Sequence, residues 1–592
     1  MNAKTIEEVE VLVERAPVPT TGFPWPGLVF LACVAGMATQ VAHTPVQAAP
    51  EEGTAPGAPA SRPSPALEDV GSSPGVEALS VPSLPPGGGL QVQTYELRNG
   101  LTVVVAPIPG LPMFSATMHY RVGSAREWQG LFGVTELIAQ LLLDGAPGLG
   151  TRDSRLEARL LRKLDRLDAR IRALAAADGS SDAAEAPSDQ EAYDRLVAER
   201  DRLVAELDRI SSRDVFGQLY RDRGATEPVV SVTPTEVQVR VSLPANQLSY
   251  FFALEAARLS GFSSRHFYME REALAGRRAE DFSDPGFLLV QGLVADAFHV
   301  HPFGRYRADP DSILGIGRAE LEYYRRQYFK PSQVVLSVAG GVRPRDVWKL
   351  AERYLAGLPS PGGRARRLEP VEPLQQGERR LWVGGGDHQE VLFAFHLDAA
   401  GVRWGNPVLP VLIALLQDQQ RGPLRSLYPG AERPGVIERL VVTEYPSSPP
   451  LGAEYPSLLV VGARGVEGTE SAELEWLLFD RLQAIGQSGP GKEAMEAARL
   501  TARERIAAAM AQPSTLAAML ARACATAGDP EALFEMFDAI QNVTEDQVRE
   551  VASQLFVRSN MTVGLLTTGQ APPERRPGAD GEAHEAGKEV AP

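Results

Sequence analysis

Few side chains in this sequence sit at spacings that could do chemistry. Glu136 and Gln140 lie four residues apart in the run Gly133–Ala146, so a helix there puts both on one face. Two oxygen-bearing side chains could hold a hard cation weakly; the plainer expectation is two polar residues lining a cleft. A second stretch, Phe267–Arg278, contains Glu270-Arg271 and then Arg277. A guanidinium is permanently charged and has no lone pair to offer, so at Arg277 it would repel a cation. His299 and His301 flank Val300, while His43, His119, His266, His388, His396 and His584 are scattered with no i, i+4 pair. That spacing makes no imidazole zinc centre, and Cys33 and Cys524 make neither a thiolate site nor a disulfide framework.

The elements that must position these residues follow from pattern. Val92–Leu97 and Leu101–Ala106 flank Asn99-Gly100, which reads as a hairpin. A strand over Phe114–Val122 leads through Gly123-Ser124 into the Gly133 helix, which Gly145 and Pro147 should stop. From Arg152 to Ser212 the composition turns to charged residues, alanine and leucine. Leu160, Leu164, Leu167, Ile171 and Leu174, then Tyr193, Leu196, Leu203, Leu207 and Ile210, keep a heptad phase on either side of a polar break. This predicts a helical hairpin, chiefly a structural insertion, whose projection would also suit partner binding. Strands resume over Val229–Leu243, and helices follow at Leu248–Leu259 and Phe267–Arg278.

The pattern then repeats. After a helix over Pro344–Ala356 and a linker with Arg364, Arg366 and Arg367 come a strand at Glu390–Leu397, a helix at Pro407–Gln419 and strands around Ser457–Ala463. A helix at Glu470–Ile485, a long alanine-rich helical region over Lys492–Ala527, a capping box at Thr544 and Gln547, and a strand at Met561–Leu566 complete the second half.

Composition sets the outer bounds. A chain of 592 residues with 44% hydrophobic and 23% charged content is globular and too long for one ordinary domain. A net charge of -16 argues against a nucleic-acid partner, which would need a basic surface. Before the first strand, Gly27–Ala38 is an uncharged apolar run, short for a bilayer span of about 20 residues, with small residues at Val46-Gln47-Ala48. The acidic lead of Glu7, Glu8, Glu10 and Glu14 is atypical of a secretory signal. The expected organisation is an export signal or anchor (1–48), a Pro/Gly/Ser/Ala-rich tether (49–89), a first domain (90–358) with a helical insertion (151–213), a linker (359–376), a second domain (377–570) and a disordered tail (571–592).

The Gly133 run resembles the metal helix of the pitrilysin/insulinase-type zinc metallopeptidases, written Gly-x-x-His-x-x-Glu-His and followed by a Gly-Thr pair. Laid on it, Glu136 takes the place of the first histidine, Ala139 that of the catalytic glutamate and Gln140 that of the second histidine. Gly123-Ser124 and Glu127 match the family's approach to the motif. The Glu270-Arg271 segment resembles the helix that supplies the third ligand, a glutamate six residues after the arginine, and that count reaches Arg277; the alignment thus implies a salt bridge from Arg277 to Glu136 in place of the metal. Asp284-Pro285, the turn His301-Pro302-Phe303-Gly304 and the run Tyr328–Gly341 follow the family's order. Valines and Pro234 replace the Asn-Ala and Thr-x-x-Asp-x-Thr pattern of its substrate-side edge. In the second half the family's arginine and tyrosine fall at Arg433 and Ile437, so only the arginine is kept. The resemblance spans about Leu90 to Gly569.

It implies an α+β fold of two homologous α/β sandwich domains, each a mixed sheet with helices packed on it, carrying the inserted hairpin. It also implies zinc as the family cofactor, but the ligands are absent, so no cofactor is expected. The chain is read as a catalytically inactive homologue, with Glu136, Gln140, Arg277 and Arg433 as candidates to line the substrate cleft. The partner would be an active zinc-peptidase homologue in a hetero-oligomer, or a second copy in a homodimer, with peptides in the cleft. The alternative is a peptide-binding or assembly protein of the cell envelope; an active zinc endopeptidase with an unrecognised site ranks last. The periplasm or cell envelope is the expected compartment, the cytoplasm the alternative.

Overall fold

The computed structural model describes residues 39–40, 90–178, 187–305, 308–363, 368–430, 435–446 and 455–569. The tether, the tail, the linker arginines and most of the expected export segment lie outside the described residues.

The first half is built on a sheet of order β1-β5-β6-β4-β7-β3-β2. Its strands are β1 (Thr39–Gln40), β2 (Gln93–Glu96), β3 (Thr102–Pro107), β4 (Met113–Tyr120), β5 (Val229–Val232), β6 (Val237–Pro244) and β7 (Val334–Gly340). Between β4 and β5 lie α1 (Val134–Leu141), the hairpin helices α2 (Ser154–Asp178) and α3 (Pro187–Ile210), and α4 (Val215–Arg221). Between β6 and β7 lie α5 (Leu248–Ser260), α6 (Phe267–Asp281), α7 (Pro285–Ala297), α8 (Pro310–Leu314) and α9 (Arg318–Tyr328), and α10 (Pro344–Tyr354) follows β7.

Among the described residues the second half repeats this plan without the hairpin. Its strands β8 (Arg379–Val383), β9 (Glu390–His396), β10 (Ile437–Tyr445), β11 (Leu458–Gly465) and β12 (Met561–Leu566) have the order β10-β11-β9-β12-β8. The pairings β5-β6, β6-β4 and β4-β7 are antiparallel and β7-β3 parallel; β10-β11, β11-β9, β9-β12 and β12-β8 run in the same series. Its helices are α11 (Val408–Gln417), α12 (Ser471–Ser488), α13 (Lys492–Ala511), α14 (Pro513–Ala527), α15 (Ala532–Ala539) and α16 (Glu545–Leu555). The capping box at the start of α16 forms with both reciprocal bonds.

Side-chain alternation explains how the halves join. In β3, Val103 and Val105 face the helices of the first half, while Val104 and Ala106 face a core shared with the second. β7 divides the same way, Leu336 and Val338 against Val335 and Ala339. The second face is covered by α14, which packs on β4 and β7. Reciprocally, Leu289, Leu293, Val294 and Ala297 of α7 pack on Leu392, Ala394, Leu458, Val460 and Leu566 of the second sheet. Gly292 permits this approach, since a Cβ there would stand 2.5 Å from Leu381 Cδ1. Each half thus lends a helix to the other. The alanine-rich helical region consists of two helices, divided where Gln512 turns extended (φ -90°, ψ 116°) before Pro513.

The hairpin is anchored more firmly than its heptads suggested. Leu160, Leu164 and Leu207 join the first core. Asp168 is bound by Arg271 of α6 (2.9 Å) and Arg172 (3.1 Å), and Asp165 by Arg318 of α9 (2.5 Å) and the Tyr268 hydroxyl (3.2 Å).

Candidate functional site

All eight residues of α1 are buried. Its start is set by Gly133, whose φ of 96° is a left-handed conformation and whose Cβ would meet Ile313 Cγ1 at 2.8 Å. The first amides are capped by a side chain six residues upstream. Glu127 accepts from the Gly133 amide (2.7 Å) and the Thr135 amide (2.8 Å). Burial pushes this carboxyl up to about 8, against the pull of its hydrogen bonds from Thr135 and Gly133. The helix ends at Leu141, short of the expected glycine stop. Beyond it Asp144 turns to meet His266 Nδ1 at 2.7 Å, and that imidazole also contacts Ser211 Oγ at 3.1 Å.

The three degenerate positions fall where the helical spacing put them. Ala139 is buried among the first core's side chains, and its methyl can neither bind a metal nor move a proton. Gln140 is buried with its Oε1 lacking a hydrogen-bond partner. Glu136, also buried, is gripped by an arginine from α6, but not by Arg277. Arg278 Nη2 lies 2.6 Å from Glu136 Oε2, and its Nη1 lies 3.3 Å from Asp281 Oδ2. Arg277 is exposed to solvent. The expected bridge to Arg277 is thus corrected by one residue, and the reason is helical phase: after Phe267 and Tyr268, the buried positions of α6 are Arg271, Leu274, Ala275 and Arg278, at the i, i+3, i+4, i+7 steps of one face. Counting along the helix by face rather than by residue number would have found Arg278.

A zinc ion needs three neutral or anionic donors and an open position. Here the first position is the Glu136 carboxylate, already held by the Arg278 guanidinium; the second is the Gln140 amide, the helix of the third ligand offers arginines, and the place of the catalytic glutamate holds the Ala139 methyl. Among the described residues no group of three His, Cys, Asp or Glu side chains could hold a metal. The residues present do not fit the metal that the motif implies. The described histidines have other surroundings. His301 lies in an aromatic cluster with Phe303 and Phe298, and burial lowers its pKa to about 4. His396 bonds the Ala297 carbonyl at 2.9 Å, and His299 is exposed. Arg433 lies outside the described residues.

Two features escaped the sequence reading. Glu236, on the turn between β5 and β6, is paired with Arg522 of α14 and accepts from Gln238 Nε2 at 2.9 Å. Burial raises this carboxyl, but the Arg522 guanidinium, His119 and the hydrogen bond from Gln238 together hold the pKa below the ordinary range. His119 Nδ1 stands 3.6 Å from Glu236, and burial lowers this imidazole to about 4, so the contact is polar rather than ionic at neutral pH. Nothing local in sequence relates residues so far apart. The second feature is a groove of about 380 Å³ at the approach to α1, lined by Trp128, Gly130, Leu131, Ala319, Glu320 and Tyr323. Trp128 and Tyr323 are 41% and 57% exposed, enough to offer their rings to a ligand. The second half has its own groove at the equivalent place, between the loop carrying Trp404 and α16.

Comparison with known proteins agrees with this geometry. A family model described as the peptidase M16 inactive domain matches residues 315–426. Coenzyme PQQ synthesis protein F of Pseudomonas protegens is 26% identical over 202 residues, 33% of this chain, and the match spans only 23% of that protein's length. A protease from Helicobacter pylori superposes with a TM-score of 0.64 at 15% identity, covering 81% of this chain and 99% of that one. The periplasmic protease PqqL from Escherichia coli gives a TM-score of 0.54 at 13% identity, covering 80% of this chain and 47% of that one. At these identities the structural likeness is one of fold.

Proposed function

We propose that the chain is a member of the M16, pitrilysin/insulinase-type, peptidase family without the metal motif, and that it is the non-catalytic partner subunit of an active zinc peptidase of the same family. The observation that carries this reading is the Arg278–Glu136 ion pair. It ties α1 to α6 at the place where a shared metal would tie them, so the chamber wall keeps its shape while the chemistry is gone. Buried charge is costly unless paired, and the pairing supports a wall retained for shape.

Such a subunit would contribute wall and binding surface to a chamber whose zinc sits in the partner. The test is copurification of the tagged chain with a homologue that retains His-x-x-Glu-His, followed by peptidase assays of each subunit alone and of the mixture. The expected result is a stoichiometric complex that is more active than the homologue alone. No complex, or one stoichiometric and tightly held zinc with activity in the isolated chain, would refute it.

The second reading, a peptide-binding or assembly protein of the cell envelope, is favoured by the exposed Trp128 and Tyr323 rings. Peptide binding by the isolated chain without a homologue in the complex would select it. A cell-envelope or periplasmic location is proposed for either reading, on the apolar N-terminal run and the periplasmic description of one structural neighbour.

A further inference from the structure

Between Ser154 and Leu174 of α2 every carboxylate is tied to the body of the first half. Glu157 meets Arg265 at 3.2 Å, Asp165 meets Arg318 at 2.5 Å, and Asp168 meets Arg271 at 2.9 Å and Arg172 at 3.1 Å. What this leaves outside is cationic. Arg155, Arg159, Arg162, Lys163, Arg166 and Arg170 are all exposed, and at about 100° per residue they fall within one sector of about 100°. Through Leu174 no carboxylate shares that sector, and none of the six cations forms an ion pair among the described residues. The row is about 22 Å long, at ~1.5 Å of rise per residue.

The segregation belongs to this face and not to the hairpin as a whole. On α3 the exposed Arg195, Arg202 and Arg209 alternate with the exposed Glu199 and Glu206, the mixed pattern of a solvated helix face. On α2 the pairs Arg155–Arg159, Arg159–Lys163, Arg162–Arg166 and Arg166–Arg170 are like charges four residues apart, which weakens a helix. The outer face of α2 is therefore not arranged for the stability of its own helix, which comes from Leu160, Leu164, Leu167 and Ile171 on the buried side.

On a chain of net charge -16 such a row is a local exception. Exposed charges act over about 8–10 Å at physiological salt. A nucleic-acid duplex or a lipid plane extends beyond the row and faces the acidic remainder of the chain as well, whereas an anionic segment no longer than the row meets cations alone. Five of the six are guanidiniums, whose forks take carboxylates at two points. Their four-residue steps of about 6 Å equal those between carboxylates on a partner helix of the same spacing, and the spacing is the same read from either end. We propose that the outer face of α2 docks an acidic helical segment of a partner protein, with carboxylates spaced as the cations are. The proposal rests on the hairpin alone, so it and the partner-subunit reading can fail separately.

The probe is a labelled alanine-based helical peptide of about 16 residues, with glutamates at the spacing of the six cations, and its counterpart with glutamine at those positions. Fluorescence anisotropy in low salt follows binding to the full chain, to an Arg159→Gln, Arg162→Gln, Arg166→Gln variant, and to an Arg195→Gln, Arg202→Gln, Arg209→Gln variant that removes the same charge from α3. The glutamate peptide should bind the unmodified chain, at least about tenfold more weakly the α2 variant, and within about twofold as well the α3 variant. The glutamine peptide should not bind, and about 0.5 M salt should abolish the interaction. Thermal unfolding of the α2 variant at an unchanged or higher midpoint establishes that it is folded, since like charges have been removed. No binding of the glutamate peptide, or equal weakening by the two variants, would overturn the proposal. So would tighter binding of phosphatidylglycerol vesicles or of a DNA duplex that is lost in the α2 variant, which would assign the face to lipid or nucleic acid.

Discussion

Glu236 on the first half and Arg522 on the second form a buried ion pair across the junction of the two sheets. Breaking a buried pair strands a charge, at a cost of roughly 3–5 kcal/mol. Arg522→Ala should therefore lose about that much stability in urea unfolding. Replacing both partners with leucine should cost distinctly less than Arg522→Ala, because no charge is left behind.

His119 beside that pair sets an acid limit. Its folded pKa of about 4 lies below the ordinary histidine value, so the unfolded chain binds the proton more readily. Its contribution is fully present above about pH 6.5 and is lost as pH falls toward 4, in total about 3 kcal/mol. Glu236, also depressed, adds to the loss below the ordinary glutamate pKa. His119→Gln should flatten the unfolding midpoint against pH between about 6.5 and 4.

The neighbouring arginines of α6 should behave differently. Arg278→Ala leaves Glu136 buried without its guanidinium and should destabilise the chain by roughly 2–4 kcal/mol. Arg277→Ala, at an exposed position, should stay within about 0.5 kcal/mol of the unmodified protein. Thermal unfolding of the two variants side by side is sufficient, and equal effects would refute the assignment.

Restoring the motif should fail unless the arginine is removed as well. Glu136→His, Ala139→Glu and Gln140→His together return two imidazoles but leave the Arg278 guanidinium facing them, so metal analysis after dialysis should find far less than one zinc per chain. Adding Arg278→Glu should bring the content to about one per chain. Adding Arg277→Glu instead should not.

Much of the fold was legible because its signals are local. The turn at Asn99-Gly100, the alternation of β4 and the capping box of α16 each lie within a few residues of sequence, and all formed as expected. What stayed hidden depends on distant partners. Asp165 and Asp168 look like solvent-facing charges of a free hairpin until Arg318 and Arg271, 153 and 103 residues away, are placed against them. Likewise α7 and α14 carry ordinary apolar faces, and nothing near them says that each belongs to the other half. At the candidate site the change of residue type at Glu136, Ala139 and Gln140 was readable from the sequence. The arginine that replaces the link was misplaced by one position because a fixed count ignored which face of α6 is buried.

The mutual loan of α7 and α14 bears on how the chain can be handled and how it comes apart. Cut at the linker, the first half would keep α7 with nothing to cover it and leave the Val104, Ala106, Val335 and Ala339 side of its sheet bare. The second half would suffer the converse loss. Neither piece should be recoverable as a soluble monomer, and the intact protein should melt in one calorimetric transition despite its duplicated plan. Two halves of like plan should therefore unfold as a single cooperative unit.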